Sequence, residues 1–231
     1  MALPLLNDVP KYTLKIPSTG KSVKYRPYLV KEEKILLLAK ESKDQDQIME
    51  AVSDTVRACT ADKVRLNDLT TFDLEYLFVK IRAKSVGETV NLVLPCSECK
   101  TSNETSLNLD EVQCPVDSKK KNVIKIDDDI SVEMKYPSYV EIERTEEAAD
   151  AAFNIMASSL KAVLTKDERI DVSEEPRETV LAFLESMTGT QFAKLSDFVR
   201  TMPQVEHHII FDCVECGHHN DIEVRGMQSF F

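Results

Sequence analysis

Apolar and polar positions change period several times along the chain, and each change marks an element. Tyr12-Thr13-Leu14-Lys15-Ile16 alternates as a half-buried strand does, Pro17-Ser18-Thr19-Gly20-Lys21 gathers turn formers, and Val23-Lys24-Tyr25-Arg26 alternates again. This predicts a β-hairpin that ends at Pro27, because proline has no N–H to give to a ladder. From Lys31 the spacing becomes helical through Ile35, Leu36, Leu38 and Ala39, and from Asp46 it continues through Ile48, Val52, Val56 and Cys59. Two helices are expected there. A third is expected behind Thr70 or Thr71, with Asp73 in its first turn and Leu74, Leu77, Phe78 and Ile81 as its apolar stripe.

Further on, Glu88-Thr89-Val90-Asn91-Leu92-Val93-Leu94 reads as a strand running through Pro95 into Cys96-Ser97-Glu98-Cys99, with a second short strand around Ser106 to Leu109 leading away. Val123 to Ile126 and Ile130 to Met134 flank Asp127-Asp128-Asp129, a sequence suited to a tight hairpin turn. After Pro137 the apolar period is helical. Tyr139, Ile142, Ala149, Ala152, Phe153, Met156 and Leu160 outline one long helix, Glu174 to Pro176 form the first turn of another behind Ser173, and Thr190 is placed to cap a third. Finally His208-Ile209-Ile210-Phe211 runs into Cys213-Val214-Glu215-Cys216 and Asp221-Ile222-Glu223-Val224 runs out, repeating the earlier strand, knuckle and strand.

Taken together, these elements predict an α+β fold: an N-terminal hairpin, two helical groups (Lys31 to Ala83 and Ser138 to Arg200), and a small antiparallel β portion carrying a four-cysteine zinc ribbon with a large helical insertion. The expected organisation is an N-terminal arm, hairpin and helical region over 1–87, then a zinc-ribbon region over 88–231, built from 88–112 and 205–226 around a hairpin and helical insertion at 122–202. A chain of 231 residues has room for one large domain or two modest ones. No run approaches the roughly 18 apolar residues of a membrane span. Met1 to Pro10 lacks the features of a signal peptide, which points to a reducing cytosol where structural disulfides are not expected.

Charge removes one class of function. Lys and Arg number 29 against 40 Asp and Glu, so the net charge of −11 opposes a protein whose main task is neutralising phosphates. Lys119-Lys120-Lys121 is the single compact basic run, lacks interleaved aromatics, and reads as a solvated loop. The acidic stretch Glu141 to Asp150 reads as the outer face of the long helix. Ser18-Thr19-Gly20-Lys21 lacks the upstream glycine of a phosphate loop, and Asp127 to Asp129 lack the ligand spacing of a calcium loop.

Six cysteines remain as candidate chemistry. Two Cys-x-x-Cys pairs at hairpin tips supply four thiolates, Cys96, Cys99, Cys213 and Cys216, that can close a tetrahedral structural Zn2+ site with no open position. The 113 residues between Cys99 and Cys213 are no objection, because loop-closure entropy grows slowly with length. A redox pair is disfavoured, since neither pair sits in a thioredoxin-like order of strand and helix. Cys59 and Cys114 read as buried or bystander thiols. His218 and His219, just beyond Cys216, are expected to hydrogen-bond a ligand sulfur rather than ligate. No His-Glu-x-x-His or His-x-Glu partner accompanies them, so catalytic residues are not expected.

Ile16-Pro17-Ser18-Thr19-Gly20-Lys21, followed by Tyr25-Arg26-Pro27-Tyr28-Leu29-Val30-Lys31-Glu32-Glu33-Lys34, resembles the baseplate hub family of T-even-like contractile-tailed bacteriophages, and the length and the two Cys-x-x-Cys pairs fit it. The resemblance implies a non-enzymatic hub subunit or hub assembly factor. It also implies a place in the virion tail baseplate and in the infected host cytoplasm during assembly, with other phage baseplate or tail proteins as partners. Nucleic acid would not be the primary partner, and a symmetric baseplate would allow homo-oligomeric contacts. The alternative is a zinc-ribbon nucleic-acid-binding or transcription accessory protein. The Met1 to Pro10 arm and the Phe230-Phe231 end are expected to suit protein contacts.

Overall fold

The computed structural model describes residues 9–61, 64–117, 120–143 and 151–226. Most of the N-terminal arm, the Phe230-Phe231 end, Lys119 of the basic run and most of the acidic stretch therefore lie outside the described residues. The chain divides into two compact units, Met1–Val116 with Gln204–Phe231, and Asp117–Pro203. Among the described residues no helix is long and apolar enough to cross a membrane.

In the first unit, β1 (Tyr12–Lys15) and β2 (Ser22–Tyr25) form the expected antiparallel hairpin. Its turn closes with the Gly20 N–H donating to Ile16 O at 2.8 Å, and Gly20 takes φ +68°, which a residue without Cβ adopts freely. Three helices follow: α1 (Val30–Ser42), α2 (Gln45–Cys59) and α3 (Thr71–Val86). Asp44 caps α2 by accepting from the N–H groups of Asp46 and Gln47, and Thr70 caps α3 in a capping box with Asp73. Asp73 is fully buried and does more than cap, since its carboxylate also accepts from the Ser18 N–H at 2.9 Å and the Ser18 hydroxyl at 2.6 Å. The Ser18 turn, which has no phosphate-loop character, is thus fastened to the start of α3.

The stretch Tyr25 to Lys34 is the joint between hairpin and helices. The Arg26 N–H donates to Cys59 O at 3.0 Å, and the Arg26 guanidinium meets Glu32 Oε1 at 2.9 Å. Glu32 Oε2 accepts from the Leu29 N–H at 2.7 Å, which caps α1. On α3, Leu74, Leu77, Phe78 and Ile81 are buried as the stripe predicts. Val79 and Ala83 are buried as well, packing with Leu107, Leu109, Val112, Val205 and Ile209. That second cluster seats two more hairpins. β3 (Thr89–Pro95) pairs with β4 (Ser102–Asn108), and β9 (Glu206–Asp212) pairs with β10 (His219–Arg225). β4 begins earlier than its apolar residues suggest, because its polar first half pairs with β3 up to the knuckle.

The second unit departs from the sequence reading. β5 (Val123–Lys125) and β6 (Ser131–Met134) form the expected hairpin, with Asp127 Oδ1 accepting from the Asp129 and Ile130 N–H groups in the turn, at 2.8 Å each. The chain then makes α4 (Tyr139–Glu143) and α5 (Ala151–Ser159). Leu160, read as the end of one long helix, instead opens β7 (Leu160–Leu164), which turns back as β8 (Arg169–Asp171). The result is a four-stranded antiparallel sheet in the order β5-β6-β7-β8, with Val132 opposite Val163. The stretch after Pro137 is thus not helical throughout, because β6 offers a free edge that the Leu160 segment pairs with. Glu133 ties three strands together, meeting Lys161 Nζ at 2.7 Å and Arg169 Nη2 at 3.0 Å.

α6 (Arg177–Glu185) starts after Pro176, which is its cap position rather than part of its first turn. α7 (Gly189–Arg200) is capped by Thr188 with Gln191, two positions before the Thr190 cap expected. Val132, Met134, Met156, Leu160, Leu184, Leu195 and Phe198 bury the core where these helices meet the sheet. Lys120 is not a freely solvated charge, as its ammonium donates to Phe198 O, Thr201 O and Thr201 Oγ1 at the end of α7, where the helix dipole favours a cation.

Candidate metal centre

Each Cys-x-x-Cys pair sits at the tip of its hairpin, where the strand ladder gives way to a knuckle. In the first, the Cys96 N–H donates to Thr101 O at 2.8 Å and the Lys100 N–H to Cys96 O at 3.1 Å. In the second, the Cys213 N–H donates to His218 O and the Gly217 N–H to Cys213 O, each at 2.9 Å. Lys100 and Gly217, the residues after the second cysteine of each pair, hold φ of 63° and 69°, so both chains reverse through the same left-handed step. Lys100 does this with a Cβ, and its Nζ reaches back to Ser97 O at 2.6 Å.

The two knuckles meet. All four sulfurs of Cys96, Cys99, Cys213 and Cys216 lie within 4.8 Å of one another, and among the described residues no other group of this kind is found. Cys96 and Cys216 approach to 3.8 Å and Cys99 and Cys213 to 3.5 Å, so each contact joins one hairpin to the other. Cys96 and Cys213 are buried, whereas Cys99 and Cys216 are exposed. Four converging thiolates are a donor set that can hold a metal ion. Cys59 and Cys114 lie outside this group, and burial raises their thiols to about 11 and about 12.

Electrostatics favours charge on the inner sulfurs. Desolvation works against the Cys96 thiolate, but the N–H groups of Cys99 and Glu98 and the Asn220 amide outweigh it and bring the thiol down to about 6. Cys213 is lowered by the N–H groups of Cys216 and Glu215. At Cys216 the His218 N–H pulls downward, yet the proton shared with Cys99, together with desolvation and the other two sulfurs, raises the thiol to about 12. Four adjacent negative charges repel one another, so the cluster on its own keeps a proton that a cation would displace.

The side chains around the sulfurs differ from the expectation. His219 pairs with Asp212, Nδ1 to Oδ1 at 2.7 Å, and His218 offers its carbonyl to the Cys213 N–H and to Asn220. The side-chain donors facing the sulfurs are instead two asparagines, Asn103 Nδ2 at 3.8 Å from Cys213 Sγ and Asn220 Nδ2 at 3.6 Å from Cys96 Sγ. Their signal was present in the chain as a string shared by both knuckles, Cys-x-Glu-Cys-x-x-x-Asn at Cys96 to Asn103 and at Cys213 to Asn220. Lys80, by contrast, has no such signal in the sequence. Buried on α3, it donates to Leu109 O, Asp110 O and Val112 O at 2.6 to 3.1 Å and so fastens the segment after β4 to the helix.

A family model described as T4 bacteriophage base plate protein matches residues 9–231, a span that includes the Ile16 to Lys34 stretch and both knuckles. No curated protein and no solved structure matches the chain.

Proposed function

Because the chain belongs to the T4 bacteriophage base plate protein family, we propose that it is a structural or assembly component of a phage tail baseplate hub that works through protein contacts and carries a structural zinc ion. The family match over 9–231 is the observation that carries the baseplate role. No turnover is assigned to the chain. Its partners are other baseplate or tail proteins, and it resides in the tail baseplate of the virion and, during assembly, in the infected host cytoplasm. An acidic chain of net charge −11 supports protein partners over nucleic acid. So does α1, which leaves Val30, Ile35, Leu37 and Leu38 exposed.

Zinc is the ion that this donor set fits. Zn–S bonds of about 2.3 Å in a tetrahedron set the sulfurs about 3.8 Å apart, a value the 3.5 and 3.8 Å cross-hairpin separations sit beside. Cys96, Cys99, Cys213 and Cys216 would hold it, and such an ion staples the two hairpins without an open coordination position. The baseplate role is tested by mass spectrometry of proteins bound to the tagged chain in infected-cell lysate and in purified particles. Tail proteins retained at moderate salt are expected. Binding only to DNA or RNA, falling steeply with added salt, would contradict it.

A further inference from the structure

The two knuckles are built as copies, and the asparagine of each reaches across to the other. Asn103 belongs to the first hairpin, yet its Oδ1 accepts from the N–H of Val214 in the second at 2.9 Å and its Nδ2 faces Cys213 Sγ at 3.8 Å. Asn220 belongs to the second, yet its Oδ1 accepts from the N–H of Ser97 in the first at 2.8 Å and its Nδ2 faces Cys96 Sγ at 3.6 Å. Each Nδ2 also donates within its own hairpin, Asn103 to Thr101 O at 2.7 Å and Asn220 to His218 O at 2.9 Å. Both side chains are almost wholly buried, at 2% and 1% exposure.

We propose that Asn103 and Asn220 are paired positioning residues of the metal centre, each carboxamide locking the opposite knuckle in place and directing an N–H at its inner sulfur. The inference rests on the metal reading above for its effect on affinity, but the lock itself is a property of the protein. A carboxamide suits the task because it alone among short side chains carries an acceptor and two donors in one plane. Serine is too short, and aspartate would keep the acceptor but turn a second negative oxygen toward the thiolates. Buried amides placed this way are held fast, because an unpaired buried donor or acceptor is costly. The two bridges bring together segments 123 and 111 residues apart in sequence, so the sulfurs are gathered before any ion arrives.

The test compares the full-length chain with Asn103→Ala, Asn220→Ala and Asn220→Asp. Zn2+ affinity is measured by chelator competition, the thiolate-to-metal absorption with Co2+, and amide exchange by NMR on the reduced, metal-free protein. Each alanine variant is expected to lose about 10- to 100-fold in Zn2+ affinity, the usual effect of removing a group that orients a metal ligand. Exchange should respond across the hairpins: Asn220→Ala exposes the Ser97 N–H, and Asn103→Ala exposes the Val214 N–H. Asn220→Asp keeps the Ser97 N–H protected while the Co2+ charge-transfer band moves to longer wavelength, because its sulfur has lost a donor. Affinities within about twofold of the parent, or loss of protection confined to the mutated hairpin, would overturn the proposal. If the parent chain binds neither ion, the metal reading fails, and the exchange result still decides whether the cross-hairpin lock exists.

Discussion

The Asp117–Pro203 unit and the paired cysteine hairpins solve the same problem, holding β-hairpins in place, by different means. The sheet β5-β6-β7-β8 is held by apolar burial, with Val132, Met134, Leu160, Leu184 and Leu195 almost fully enclosed. The hairpins β3–β4 and β9–β10 bury Leu107 and Ile209 near α3, but at their tips the buried side chains are Cys96, Cys213, Asn103 and Asn220. Apolar area stabilises a sheet in proportion to what it removes from water, about 25 cal/mol per Å². A knuckle with little such area must be held by directed bonds, and directed bonds respond to single atoms, to protons and to chelators in ways a core does not.

The largest expected effect comes from removing that staple. Cys96→Ser or Cys213→Ser should abolish metal retention and cost the hairpin-bearing unit more than about 5 kcal/mol, while melting of the Asp117–Pro203 unit is unchanged. Calorimetry with and without a zinc chelator reads both. Equal effects on both units would break the comparison. The converse variant, Leu184→Ala, leaves a cavity in the apolar core and should cost about 2–5 kcal/mol, with metal content retained in elemental analysis. Next in size, Lys80→Met removes the ammonium shared by three backbone carbonyls and should cost about 2 kcal/mol in urea unfolding of the hairpin-bearing unit.

Acid separates the two designs most finely. Ligand thiolates compete with protons, so metal should leave as pH falls below neutrality. Glu133 in the sheet is held below the usual carboxylate range, first by hydrogen bonds from Lys161 and Arg169. A depressed carboxyl contributes stability above the unfolded value, about 4.3, and loses it as pH falls through the lower folded one. Far-UV dichroism and metal release followed from pH 7 to pH 3 should therefore show the hairpins loosening first and the sheet later. In Glu133→Gln the sheet's own acid dependence should flatten, and metal release should not move.

How legible each region was in the sequence follows from the same contrast. The N-terminal hairpin, α1 to α3 and the Asp127 turn were readable because their signals are local: alternation, a capping threonine, a carboxylate two and three residues before the N–H groups it accepts from. The four cysteines were readable as a set because spacing alone announces them. β7 was not, since Leu160 continues the helical spacing of Met156 and only the waiting edge of β6 makes that segment a strand. Asn103 and Asn220 were missed for a related reason. The shared Cys-x-Glu-Cys-x-x-x-Asn string marks both positions, but an asparagine inside β4 or β10 carries no propensity signal, and its role exists only once the other hairpin is opposite it.

The most direct test of the central claim is native mass spectrometry of the intact reduced chain, purified without chelator. One zinc per chain is predicted, and the ion should be lost from Cys96→Ser and from Cys213→Ser alike. A reduced chain that stays metal-free when zinc is supplied, or that keeps its zinc in Cys96→Ser and Cys213→Ser, would contradict the account.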